Sequence, residues 1–325
     1  MTWQSSMNWQ DAQQRAKILQ QVRQFFAERN VVEVETPALS QGTVTDVYLD
    51  ALSCKYDFLA ESPVGHSTEL FLQTSPEFYM KRLLASGYGC IYQIAKAFRH
   101  EESGTNHNPE FTMLEWYRIG FDQFDLMHEV SELLKTVLGG DKAVFTSYQD
   151  IFIETVSIDP LVTTFDELVE VLNTHNKSAE WLIEMNDLDL LLQFIFTEII
   201  EPTIGINAPQ FIYDFPIAQA SLAKVSVDDP RVAQRFECYF KGIELVNGFN
   251  ELTDADEQLT RFEQDNAKRK VQELPVKPID RNFIDALKQG LPQCSGVALG
   301  IDRLVMLALD IKKISEVLSF SIERA

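Results

Sequence analysis

Arg99 and Glu101, in the run Phe98-Arg99-His100-Glu101, precede a loop rich in Gly, Asn and Pro and then Phe111-Thr112-Met113-Leu114-Glu115-Trp116-Tyr117. Strand alternation puts Arg99 and Glu101 on one face of a first strand, and Phe111, Met113, Glu115 and Tyr117 on one face of a second. Paired as a hairpin, the two would carry a fixed cation, an aromatic plate, two carboxylates and a phenol. A guanidinium suits a phosphate because it stays charged and forms bidentate hydrogen bonds. A ring stacks on a purine, and carboxylates accept from amines. The plainer alternative is a surface hairpin with an incidental Arg/Glu pair.

A second run, Phe236 to Val246, holds Lys241-Gly242, which fits a two-residue hairpin turn. Tyr239 then faces Glu244, and Glu237 and Glu244 become diagonal neighbours on one face. Two such carboxylates repel unless a cation lies between them, and hard oxygens suit Mg²⁺ bridging phosphates. Asn247-Gly248-Phe249-Asn250-Glu251 adds a third acid. The alternative is that these acids belong to a general acidic surplus. A third run, Gly296 to Met306, sets small residues at alternate positions before Arg303, near a helix start that favours an anion.

Elements must hold these groups in place. The spacing predicts an amphipathic helix over residues 11–30, with Ile18, Val22, Phe25 and Phe26 inward, and a short strand at Val31–Val34. A helix is expected at Glu77–Ser86, stopped by Gly87. Two strands follow around the loop Ser103–Glu110, then a mostly helical, acidic insertion at about 125–205. Strands are expected again at Phe211–Phe215 and Phe236–Val246, and an exposed helix at 254–270. The order points to an α+β fold, an antiparallel sheet flanked by helices, in a single domain over 1–325.

Composition sets the outer bounds. Hydrophobic residues at 45% and aromatics at 11% are those of a folded protein. The 49 acidic against 28 basic residues leave a net charge of -21, which argues against broad nucleic-acid binding. The four cysteines make no CxxC pattern, so reduced thiols in the cytoplasm are expected. No stretch approaches the roughly 18 apolar residues of a membrane span, and no leader is apparent.

Together the runs resemble the signature motifs of class II aminoacyl-tRNA synthetases. Val34-Glu35-Thr36-Pro37 looks like motif 1, Phe98-Arg99-His100-Glu101 with Phe111 like motif 2, and Gly300-Ile301-Asp302-Arg303 like motif 3. Within that class, Thr74-Ser75-Pro76-Glu77, His107 to Glu115 and Asn247 to Leu252 resemble lysyl-tRNA synthetases. The resemblance implies ATP as co-substrate, Mg²⁺, a homodimer through the motif 1 region, and an adenylate of lysine or a lysine analogue. It implies that Arg99 and Arg303 are catalytic at the α- and γ-phosphates. His100, Glu101, Asn108, Phe111, Glu244, Leu245 and Gly300 would complete the ATP site, with Glu237 and Glu244 on the metal. Ser75, Pro76, Glu77, Glu115, Tyr117, Asn247, Phe249, Glu251 and Ala298 would line the amino-acid site.

Two features bear on substrate and acceptor. The catalytic helix is expected to begin near Asp11, leaving no room for an anticodon-reading β-barrel, so stable tRNA binding is not expected. The whole chain resembles free-standing lysyl-tRNA-synthetase-like ligases, which implies (R)-β-lysine as substrate and a lysine side chain of elongation factor P as acceptor. Ala298 stands where the synthetases usually have Gly, and one methyl is worth roughly 1–3 kcal/mol of discrimination. The competing readings are a truncated synthetase charging tRNA and a regulatory paralogue without catalysis.

Overall fold

Asn8 caps the first helix: its side-chain oxygen accepts the Asp11 N–H at 2.9 Å, satisfying a donor that every helix start leaves over. The computed structural model describes residues 3–57, 68–100 and 103–325. Glu101 lies outside the described residues. Helix α1 (Trp9–Ala27) buries Ile18, Val22, Phe25 and Phe26, the stripe its periodicity predicts. After it come β1 (Val32–Glu33), β2 (Leu39–Ser40), β3 (Ser53–Tyr56), β4 (Thr68–Leu72), α2 (Glu77–Ala85), β5 (Ile91–Phe98) and β6 (Glu110–Ile119). The middle of the chain runs α3 (Gln123–Leu138), β7 (Val144–Ser147), α4 (Tyr148–Val156), α5 (Phe165–Thr174), α6 (Glu180–Met185), α7 (Leu188–Ile195), β8 (Gln210–Pro216), β9 (Val232–Phe240) and β10 (Ile243–Asn250). The chain then forms α8 (Ala255–Val271), α9 (Arg281–Gly290), β11 (Cys294–Gly300) and α10 (Ile301–Leu309). They sort into two compact units, one of Met1–Phe121, Thr136–Leu138 and Thr253–Ala325, the other of Asp122–Lys135 and Gly139–Leu252.

In the first unit the strands lie in the order β1, β5, β6, β11. The β5–β6 hairpin pairs Ala97 with Phe111 and Gln93 with Glu115, and β11 sets Ala298 opposite Glu115 on the other side. This unbroken ladder holds Phe111, Met113, Glu115 and Tyr117 on one face, as alternation predicts. Beneath it Phe26 stacks on Tyr92 at 4.4 Å and meets Trp116 edge-on at 5.3 Å. Burying such rings is worth roughly 1.5–3 kcal/mol each. The small sheet of β2, β4 and β3 and helix α9 have no counterpart among the sequence expectations.

Helix α8, expected as exposed, buries Phe262 and Arg269. The Arg269 guanidinium is satisfied in place: it donates to the carbonyls of Pro275 and Asp46, 2.7 Å each, and to Asp50 at 2.9 Å. Lys277 joins Asp50 at 2.8 Å, and together the cations hold its carboxyl below the usual range despite partial burial. The Asp50 carbonyl in turn accepts the His100 N–H at 2.9 Å, so this network reaches the loop after β5.

In the second unit the order is β10, β9, β8, β7. Lys241 and Gly242 take φ of +51° and +74°, the left-handed pair that a two-residue hairpin turn requires. Helix α4 packs on β8 through Tyr148 and Phe215, Phe196 just after α7 joins the same ring cluster with Phe152, and α5 packs on α7 within that core. The helical stretch expected as an insertion therefore shares one core with strands, and it contains β7, which periodicity did not reveal. Both units combine mainly antiparallel strands with flanking helices, the α+β class expected. Among the described residues no helix is long and apolar enough to cross a membrane.

Candidate active site

Glu115 lies at the centre of the first unit's polar group. Its carboxylate is almost fully buried and accepts from Ser75 Oγ and from the Tyr117 hydroxyl, both at 2.7 Å. Ser75 also accepts the Glu77 N–H at 3.0 Å, which ties the turn before α2 to β6. Pro76 occupies the N-cap position of α2, and Glu77 opens the helix. Burial pushes the Glu115 carboxyl up to about 7, and the Glu77 charge adds to the push against the two hydroxyls and Lys81. Lys81, which sequence reasoning missed, pairs with Glu77 at 2.6 Å. Its i,i+4 spacing from Glu77 on one helix face was the available signal.

Arg99 follows β5 rather than lying in it, because the ladder ends at Phe98 opposite Glu110. The expected strand face for Arg99 is thus corrected: the chain turns there, and the Arg99 N–H donates to the Pro109 carbonyl at 3.0 Å. The guanidinium nevertheless lies over the Phe111 ring, 5.2 Å from its centre, and its Nε is buried with no hydrogen-bond partner among the described residues. A buried donor without an acceptor is costly, and a phosphate oxygen would satisfy it. Asn108 spends its side chain on the loop, donating to the Glu110 carbonyl at 2.6 Å and accepting the Ile322 N–H at 3.1 Å. Gly300 is the residue before α10, and Arg303 in its first turn reaches the Asn106 carbonyl at 3.3 Å and His107 Nε2 at 2.9 Å. Behind them Asp302 binds Arg15 at 2.6 Å and accepts the Thr112 N–H at 2.7 Å, joining α10, α1 and β6.

In the second unit Tyr239 pairs with Glu244 as expected, but a bulge between Glu244 and Val246 then sets Glu237 opposite Asn247. Leu245, at the bulge, buries its side chain, so only its backbone is offered to a ligand. Glu237 is held by Arg235 at 2.5 Å and by the Tyr239 hydroxyl, with Asn247 Nδ2 at 3.3 Å. Metal ligation by Glu237 would have to displace Arg235. Arg235 and Tyr239, two residues either side of Glu237, are the alternation signal that the sequence reading passed over. Among the described residues no three His, Cys, Asp or Glu side chains converge as a metal site. Magnesium commonly keeps most of its waters and takes one or two carboxylates with substrate phosphates. Among the described residues Asn247 Oδ1 is buried with no hydrogen-bond partner, an acceptor suited to an amine. Glu251 is buried beside Ala223, and Phe249 packs on Ala220, Ala223 and Ala233.

The order and content of these groups agree with the comparison to known sequences. The profile of class II tRNA synthetases (D, K and N) matches residues 2–324. The chain belongs to that family. As a class II synthetase-type enzyme it is an ATP-dependent ligase. Its curated relatives include the elongation factor P–(R)-β-lysine ligase of Pectobacterium carotovorum subsp. carotovorum, 51% identical over 324 residues, covering 100% of this chain and 98% of the relative. The protein of that name from Photorhabdus laumondii is 53% identical over 323 residues, 99% of this chain and 98% of the relative. The one from Haemophilus influenzae strain PittGG is 52% identical over 324 residues, again 99% and 98%.

Proposed function

We propose that the protein activates (R)-β-lysine with ATP and transfers it to a lysine side chain of elongation factor P in the cytoplasm. The observation that carries this reading is identity of 51–53% along the whole chain to ligases of that name. In the first step the substrate carboxylate attacks the α-phosphorus and expels pyrophosphate. The acceptor amine then attacks the acyl carbon of the adenylate, releases AMP and loses its proton. Arg99, with its unsatisfied buried donor, binds the α-phosphate, and Arg303 binds the γ-phosphate. Phe111 stacks on adenine, while His100 and Asn108 hold the loop against the nucleotide. Glu237 and Glu244 would hold Mg²⁺, which would neutralise phosphate charge when bound. Ser75, Pro76, Glu77, Glu115, Tyr117, Asn247, Phe249 and Glu251 receive the diamino acid, and Ala298 favours the β-isomer.

Both units serve one catalytic domain in this reading, and two chains pair through the motif 1 region. The net charge of -21 supports a protein acceptor over tRNA. The test is ATP–pyrophosphate exchange with α-lysine and with (R)-β-lysine. Preference for the β-isomer is expected, and equal or reversed rates would refute the substrate assignment.

A further inference from the structure

Helix α2 turns a lysine into the protein. Lys81 is 1% exposed, and its Nζ lies 2.6 Å from Glu77 Oε1. The Phe283 ring of α9 covers the ammonium, 5.9 Å from Nζ to the ring centre. A buried ammonium persists only where an anion balances it. Glu77 supplies that anion and also stands close enough to Glu115 to push its carboxyl up.

Among the described residues the other groups bonded to Glu115 are the uncharged hydroxyls of Ser75 and Tyr117. Its ladder neighbours, Gln93 on β5 and Ala298 on β11, carry no charge. Among the described residues the cluster thus holds two carboxyls, Glu77 and Glu115, and the Lys81 ammonium. Two neighbouring carboxyls without a cation would share a proton, since both cannot ionise cheaply. With one cation already fixed, a single further ammonium brings the buried cluster to neutrality.

We propose that Lys81 is a positioning residue: by pairing with Glu77 it leaves Glu77 and Glu115 one uncompensated negative charge, so that they take one substrate ammonium and turn away a second cation. This rests on the reading of the substrate as a diamino acid. Lys81 touches no reacting atom and acts through the carboxylates.

The test reads the Glu115 titration by NMR of ligand-free protein with ¹³C-carboxyl-labelled glutamate, Glu115→Gln identifying the signal. Pyrophosphate exchange gives KM and kcat on the same samples. Lys81→Met keeps the stem and removes the charge. Its Glu115 midpoint is expected to rise by about one pH unit, and KM for (R)-β-lysine about tenfold, with kcat changing less. Lys81→Arg restores both toward wild type. The double variant Lys81→Met/Glu77→Gln removes the ion pair as a unit and serves if the single variant fails to fold. It removes the stronger Glu77 repulsion together with the weaker Lys81 attraction, so its midpoint is expected below that of wild type. A folded Lys81→Met protein with an unmoved midpoint, or a double variant titrating above wild type, overturns the proposal. The titration needs no substrate, so it decides the role of Lys81 even if wild type exchanges no pyrophosphate with (R)-β-lysine, a result that would sink only the functional reading.

Discussion

The Arg99 guanidinium lies over the face of the Phe111 ring, 5.2 Å from its centre. The two residues flank the loop that joins β5 to β6, and the stack fixes the plane of the cation. Lysine would bring charge without the plane or the fork. Arg99→Lys is therefore expected to lower kcat/KM for pyrophosphate exchange by roughly 10²–10³-fold, the cost of losing one aimed donor. Steady-state kinetics at fixed (R)-β-lysine checks this, and near-normal activity would remove Arg99 from the α-phosphate.

Ala298 stands directly opposite Glu115 across the β6–β11 ladder. In the proposed reading its methyl occupies space on the substrate side of β11. Ala298→Gly is expected to cut the preference for (R)-β-lysine over α-lysine by roughly 10- to 100-fold. Competing the two isomers in the exchange assay reads the ratio, and an unchanged ratio would take isomer choice away from this methyl.

Glu115 links stability to pH. Its folded carboxyl is raised from 4.5 to about 7, so folded protein keeps a proton that unfolded chain has lost. The stabilisation is complete below about pH 4.5 and is lost as pH rises through about 7. The wild-type melting temperature should carry this downward contribution over that window, and Glu115→Gln should flatten it. The full effect is on the order of 3 kcal/mol. An ammonium needs the ionised form, so KM for (R)-β-lysine should fall as pH rises through the same value.

Gly248 faces the Phe236 ring across the β9–β10 pair, and a Cβ there would run into it. Gly248→Ala forces the ring or the strand to shift, beside Asn247 and Phe249. A loss of about 1–3 kcal/mol in urea unfolding is expected, with a raised KM for the amino acid. Unchanged stability would mean that the ring yields freely.

How much of this was legible in the sequence differs from element to element. Alternation and the Lys241-Gly242 turn predict both hairpins, because local backbone geometry decides them. The stripe of α1 follows from its periodicity. The bulge at Leu245 could not be read, since it depends on side-chain packing in two strands at once. Nor could the burial of Arg269, whose partners Asp46 and Asp50 lie more than two hundred residues away in sequence. The charge pattern of α8 predicts a solvated helix because the partners that bury Arg269 come from distant segments. Arg235 beside Glu237 and Lys81 beside Glu77 escape a reading of single residues for the same reason: part of the acids' charge is matched inside the fold.

The most direct test incubates elongation factor P with the protein, ATP and (R)-β-lysine, followed by intact-mass and peptide analysis. The account predicts a gain of one lysyl unit on one lysine side chain, dependent on ATP and abolished by Arg99→Ala. Unmodified elongation factor P, under conditions where pyrophosphate exchange with (R)-β-lysine proceeds, would contradict it.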